Sequence, residues 1–175
     1  WAMPFGALPR RAEGQGGVIY EDDTGRNEFE CLKVAHDEQY VFFYARTRQD
    51  IVFNMFTKWM TLYIAVAGRP YAPHWHGYHY IINDVVLDGC ATFLLTCLGG
   101  YRFSAGKRIS YRRAGREMMI AVPRDAMDLP SGGFELRFKW ADHTGQNETV
   151  ADFYEHGDTA PYGRFSFIYR AESES

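Results

Sequence analysis

The sequence predicts an all-β fold, a jelly-roll-like antiparallel β-sandwich with one short helix, and two observations carry the prediction. Aromatic residues make up 17% of the chain, with Trp 4, Tyr 12 and Phe 13. Large rings suit a pleated, half-buried surface better than an exposed helix face. Short apolar or alternating runs also recur with Gly, Pro and polar turn signals between them, and no strand-helix unit repeats. That spacing favours antiparallel over parallel strands.

In chain order, residues 1–28 are rich in Gly, Pro and charge, and only Val18, Ile19 and Tyr20 suggest a short strand there. Residues 1–16 therefore read as an arm, 17–170 as the sandwich domain and 171–175 as a tail. Residues 29–36 alternate as a strand, and the polar turn Asp37-Glu38-Gln39 leads into a second at 40–46. Together they make a hairpin. Strands follow at 60–67, 77–83 and 91–98, then a pair at 108–113 and 117–122 split by Ala114-Gly115. Pro123 and Pro130 bracket the one short-helix candidate, 124–129. In 134–140 Phe134, Leu136, Phe138 and Trp140 share one face while Glu135, Arg137 and Lys139 share the other. That pattern predicts a sheet with one wet face. A long polar connection, 141–163, leads to a closing strand at 164–170.

The 175 residues favour one domain, and 46% hydrophobic residues with a net charge of -3 exclude a disordered chain. With 22 acidic against 19 basic residues there is no global field for a polyanion, so nucleic acid is not an expected partner. The longest apolar run, 60–67, is far short of the ~20 residues of a membrane-crossing helix. Cys31, Cys90 and Cys97 are an odd number, so at least one thiol is unpaired within the chain, and all three are expected as small buried side chains. The chain begins at Trp1 without Met, so the natural start, with any signal peptide, is expected to lie upstream.

Six ordered segments carry a family resemblance: Thr24-Gly25-Arg26-Asn27-Glu28, Tyr40-Val41-Phe42-Phe43-Tyr44, Trp59-Met60-Thr61-Leu62-Tyr63-Ile64, Gly77-Tyr78-His79-Tyr80-Ile81-Ile82-Asn83, Phe138-Lys139-Trp140-Ala141-Asp142 and Gly157-Asp158-Thr159-Ala160-Pro161-Tyr162-Gly163-Arg164-Phe165. Together they resemble the bacterial β-sandwich domains related to family 9 carbohydrate-binding modules and the wider DOMON-like group, over about residues 17–170. The resemblance implies a sandwich fold and a secreted or cell-surface accessory of a polysaccharide-processing protein. One departure stands out. Relatives tend to carry Ile-Asp-x-Asp and then Thr-Gly-Trp after the Trp59 strand, whereas here Ile64-Ala65-Val66-Ala67 and His74-Trp75-His76-Gly77 occur. No metal role carries over from that acidic segment.

Sugar binding needs flat aromatic faces against which pyranose C–H groups pack. Trp75, with Tyr71 and Tyr78 beside it on a Pro- and Gly-punctuated loop, is the expected platform, and Tyr101 after Gly99-Gly100 is a further candidate. The alternative is that Trp75 seals the end of the core. Asp22, Asp23 and Asn27, with Glu21, Glu28 and a distant Asp158, offer hard oxygens for a structural Ca²⁺, or else form a solvated entry loop. His74, His76 and His79 could chelate a transition metal or serve as polar loop residues. Lys107, Arg108, Arg112, Arg113 and Arg116 either hold an acidic glycan or protect a hairpin edge.

Catalytic signals are thin. Serine-hydrolase, phosphate-loop and zinc-protease motifs are missing, and carboxylate pairs such as Asp142 with Asp152, or Asp152 with Asp158, could in principle serve a glycosidase. The expected function is a non-catalytic carbohydrate-binding module that recognises a glycan by aromatic stacking. The alternatives are a structural sandwich packed against a catalytic partner and a metal-dependent enzyme built on the histidines.

Overall fold

The computed structural model describes residues 2–4, 11–13, 17, 19–21, 26–54, 58–86, 90–100, 102–104, 106–142, 151–155 and 157–172. In chain order the strands are β1 (Ala2–Pro4), β2 (Arg11–Glu13), β3 (Ile19–Glu21), β4 (Phe29–His36), β5 (Tyr40–Thr47), β6 (Thr61–Val66) and β7 (Tyr80–Val86). They continue with β8 (Ala91–Gly99), β9 (Arg102–Phe103), β10 (Lys107–Ala114), β11 (Glu117–Pro123), β12 (Phe134–Asp142), β13 (Asp158–Ala160) and β14 (Phe167–Ala171), with the one-turn helix α1 (Asp152–Glu155) before β13.

The fold is all-β and antiparallel. Twelve strands form one sheet in the order β1-β4-β5-β11-β10-β8-β7-β6-β12-β13, while β14 also pairs with β12 and β9 with β8. Strands β2 and β3 make a separate two-stranded ribbon. The sheet curls until its ends approach. At this seam His36 Nδ1 lies 2.6 Å from the Tyr169 hydroxyl, and the Phe29 N–H donates to the Asp158 carboxylate. Side chains thus bridge β4 to β13 and β14 where no ladder does, and the molecule is nearly a barrel.

The alternation read in the sequence fixes which side chains turn inward. Val41, Phe43 and Ala45 of β5 enter the main core with Leu62 and Ile64 of β6 and Phe138 and Trp140 of β12. Phe43 meets Phe138 edge-on with ring centroids 5.6 Å apart. A bulge between Phe29 and Cys31 shifts the register of β4, which explains why the neighbours Cys31 and Leu32 are both buried. The β10–β11 turn is tight, with Gly115 at φ 52, a conformation glycine adopts at little cost.

Four expectations need correction. The segment between Pro123 and Pro130 closes as a 3-10 turn at Asp125–Met127, ended by Asp128 at φ 47. Six residues between two prolines leave no length for a stable α-helix. Its Met127 is buried in the main core. Second, β12 has no continuous wet face, because Lys139 on its outward side is 0% exposed. Third, β10 is not an edge, since it pairs with both β8 and β11, so the arginines on it do not guard a free strand. Last, Cys31 and Cys97 are buried, but Cys90 is exposed at the entry to β8. The expected arm also contributes to the sheet, through β1 paired with β4.

Candidate functional site

Two outer walls of the barrel carry aromatic side chains. The first lies over β6 and β12, where the expected platform falls. Trp75 and Tyr78 close a two-residue turn by mutual backbone hydrogen bonds of 2.9 and 2.8 Å. The turn folds back onto the sheet, so the indole stacks on Tyr63 at 5.5 Å and meets Phe153 of α1 edge-on at 5.8 Å. Trp75 is 3% exposed. Its faces are taken by protein, and the expectation that it offers one to a saccharide is corrected: it anchors the 67–79 loop. It seals an outer cluster with Tyr63, Ile81, Cys97 and Phe153 rather than the end of the main core. Tyr78 is buried in the same cluster, with its hydroxyl 2.8 Å from that of Ser166. Tyr71 is 98% exposed on the loop. Tyr101 lies outside the described residues.

The second wall is the outside of β5. Its inward residues alternate with Tyr40, Phe42 and Tyr44, all half-buried and all turned outward. Residues two apart on a strand stand about 6.8 Å from one another, and the Tyr40 and Phe42 centroids are 6.0 Å apart. Cross-strand registers set the neighbours. Phe42 is flanked by Ala35 and Ala121, and Tyr44 by Lys33 and Met119. The alanines are too short to cover the Phe42 ring, whereas the Lys33 ammonium sits 5.2 Å over the Tyr44 ring. The Tyr44 hydroxyl donates to Glu117 Oε1 at 2.6 Å. Burial and the adjacent Glu117 carboxylate push this phenol up to about 12, so it remains a donor. Beyond Tyr44 a groove of about 560 Å³ opens, lined by Tyr44, Cys90, Arg112, Glu117 and Met119 among others.

The chain matches no family model, no curated protein and no solved structure.

The expected calcium residues divide. Asp22 and Asp23 lie outside the described residues. Asn27 and Asp158 do approach each other, around the buried Asp142, which is the cross-strand partner of Asp158. Their oxygens, however, serve the protein. The Asn27 amide donates to Asp142 Oδ1 at 3.1 Å and its Oδ1 accepts the Val52 N–H at 2.8 Å. Asp142 accepts Arg26 Nε at 2.8 Å and the Met60 N–H at 2.8 Å. Burial still holds its carboxyl above the usual range, against the pull of Arg26. Among the described residues the cation beside Asp142 is the Arg26 guanidinium. Asp142 is 0% and Asp158 8% exposed.

The histidines take different hydrogen-bonding roles. His79 Nδ1 accepts the Val66 N–H at 3.0 Å, and burial, then Arg69 and His74, hold this imidazole below its ordinary pKa. His74 Nδ1 accepts the Gly77 N–H at 3.1 Å. Among the described residues no three His, Cys, Asp or Glu side chains converge as a metal-ligand set, and no helix is long and apolar enough to cross a membrane.

Sequence reasoning passes over the β5 stripe although a signal is present. Tyr40-Val41-Phe42-Phe43-Tyr44 is apolar or aromatic at both parities, so whichever face turns outward carries rings.

Proposed function

We propose that this domain is a non-catalytic glycan-binding module that holds a saccharide chain on the outer face of β5, as an extracellular or cell-surface accessory to a glycan-degrading protein. The observation that carries the reading is the row Tyr40, Phe42 and Tyr44, three half-buried rings in line on one outward face. Rings so arranged offer successive apolar surfaces to the C–H faces of consecutive sugars. Lys33 lies opposite Tyr44, Arg112 lies beyond Met119 in the same row, and Glu117 accepts from the Tyr44 hydroxyl; these side chains supply hydrogen-bonding groups for hydroxyls. The resemblance over residues 17–170 supports the accessory context.

Isothermal titration against a panel of soluble neutral and acidic glycans tests this. At least one glycan is expected to bind. Removing one ring, by Phe42→Ala or Tyr44→Ala, is expected to weaken it about tenfold, corresponding to roughly 1.4 kcal/mol of lost contact. No binding to any member, or equal binding by the double variant, overturns the reading. A structural accessory packed on a catalytic partner is the second reading, favoured by Phe165 at 75% and Ile168 at 43% exposure. Absence of glycan binding, together with capture of a co-encoded catalytic chain that is lost in Phe165→Ser, would put it first.

A further inference from the structure

A second cleft, of about 510 Å³, lies outside the β6–β12 wall and is lined by His76, Tyr78, Phe153 and Arg164. Its size falls within the roughly 300–1,000 Å³ of small-ligand sites. The floor is aromatic, because Tyr78 and Phe153 both pack against Tyr63 of β6, with centroids 5.4 and 5.3 Å away. The hydroxyl of the lining residue Tyr78 lies 2.8 Å from that of Ser166. One hydrogen suffices for their mutual bond, so the other is available to a ligand.

The rim is cationic. The charged groups acting on His76 are His74 and Arg164, and with burial as the first cause they hold the imidazole below its ordinary pKa. Of the four lining side chains, His76 and Arg164 can carry positive charge, and an anion between them would relieve their mutual repulsion.

The backbone adds an independent indication. His76 and Gly77 are the central residues of the Trp75–Tyr78 turn, with φ 48 and φ 91. Turns with positive φ at both central positions favour Asn, Asp or Gly at the first. The histidine there lays its ring edge-on against Trp75 with centroids 4.6 Å apart, which fixes the imidazole at the rim of the cleft.

The geometry points to this cleft as a second binding site, distinct from the β5 face, for a carboxylate carried on a small ring, as in a hexuronic acid. The planar guanidinium of Arg164 matches a carboxylate as a two-pronged donor, and His76 donates from the neighbouring side. The Tyr78–Ser166 pair meets a ring hydroxyl, and the edges of Tyr78 and Phe153 meet the ring's C–H surface. This assignment uses none of the β5 residues and does not depend on glycan binding there.

The test is titration of the full 175-residue chain with glucuronate, glucose, acetate and inorganic phosphate, read by ligand-observed NMR or calorimetry. Glucuronate is expected to bind at least tenfold more tightly than each of the other three. Arg164→Gln should weaken glucuronate at least tenfold. His76→Asn should weaken it several-fold while the melting temperature stays level or rises, which separates loss of the ligand from loss of the fold. Phe42→Ala should leave glucuronate binding unchanged. Phosphate, glucose or acetate binding as tightly as glucuronate would overturn the proposal, and so would an unaffected Arg164→Gln. Failure here with intact glycan binding on β5 removes this site alone, and the reverse outcome removes the β5 reading alone.

Discussion

The outer face of β5 and the outer face of β6 begin from the same material and end differently. Both present aromatic side chains at outward positions, Tyr40, Phe42 and Tyr44 on one and Tyr63 on the other. Over β6 the 67–79 loop lays Trp75 and Tyr78 on the sheet and α1 adds Phe153, so that strand is buried on both sides. Over β5 the flanking outward residues in the Phe42 row are alanines, and its rings stay half-buried. A ring becomes a platform or a plug according to what covers it. Cover is a long-range property, supplied here by Trp75 from the next loop and by Phe153 from the far end of the chain.

The largest expected effect tests the covered side. Trp75→Ala removes a buried indole from a four-ring cluster with Tyr63, Tyr78 and Phe153 and should cost about 3–5 kcal/mol of stability. Under conditions where the variant remains folded, β5 glycan binding should be unchanged. A Trp75→Ala protein as stable as wild type in urea denaturation would mean that the loop does not cover the wall as described.

The next effect concerns the lysine under that cover. Lys139 lies against the Phe153 ring at 4.9 Å and donates to the Pro161 carbonyl. Burial, partly offset by Asp158, pushes its pKa down from 10.5 to about 7. Between those two values the unfolded chain binds the proton and the folded chain does not, so this group makes stability rise with pH across that window. Below pH ~7 the ammonium is charged in both states and its burial cost is present in full. Each pH unit of that window corresponds to about 1.4 kcal/mol. Lys139→Met should therefore stabilise most at pH 6, by a few kcal/mol less the roughly 1 kcal/mol of the lost Pro161 hydrogen bond. It should also flatten the rise toward pH 10. Parallel stability curves for wild type and variant, measured by denaturant titration from pH 6 to pH 10, would contradict this.

The strands are legible because alternation is local. Residues 29–36 are β4, and the Ala114-Gly115 break is the β10–β11 turn. Lys139 misleads by the same rule, since its parity in β12 says solvent while α1 and Pro161 arrive from more than ten residues downstream. Trp75 stands in the expected loop next to Tyr78, yet sequence cannot say toward which side a turn folds. The sequence offers Asn27 and a distant Asp158 as oxygen ligands, and Asp142 separately as a candidate carboxylate. The convergence exists, but the neutralising charge is Arg26, a residue whose role depends on pairing across 116 positions. The cleft at His76 and Arg164 joins two segments with no shared motif, and its only local sign is a histidine where a tight turn prefers Asn.

The smallest stability effect sharpens the comparison most. Phe42 is half-buried between two alanines and contributes nothing to the main core. Phe42→Ala should thus cost about 1 kcal/mol or less, well short of the ~3–5 kcal/mol of a core aromatic. Its loss of glycan affinity should still match that of Tyr44→Ala. Phe42→Ser, which makes the position fully polar, should leave the melting temperature within a few degrees of wild type while binding stays lost. If Phe42→Ala instead destabilised the protein as much as Trp75→Ala, something would have to cover β5 as the loop covers β6. The open wall would then be a second plug, and the glycan would have to be sought elsewhere.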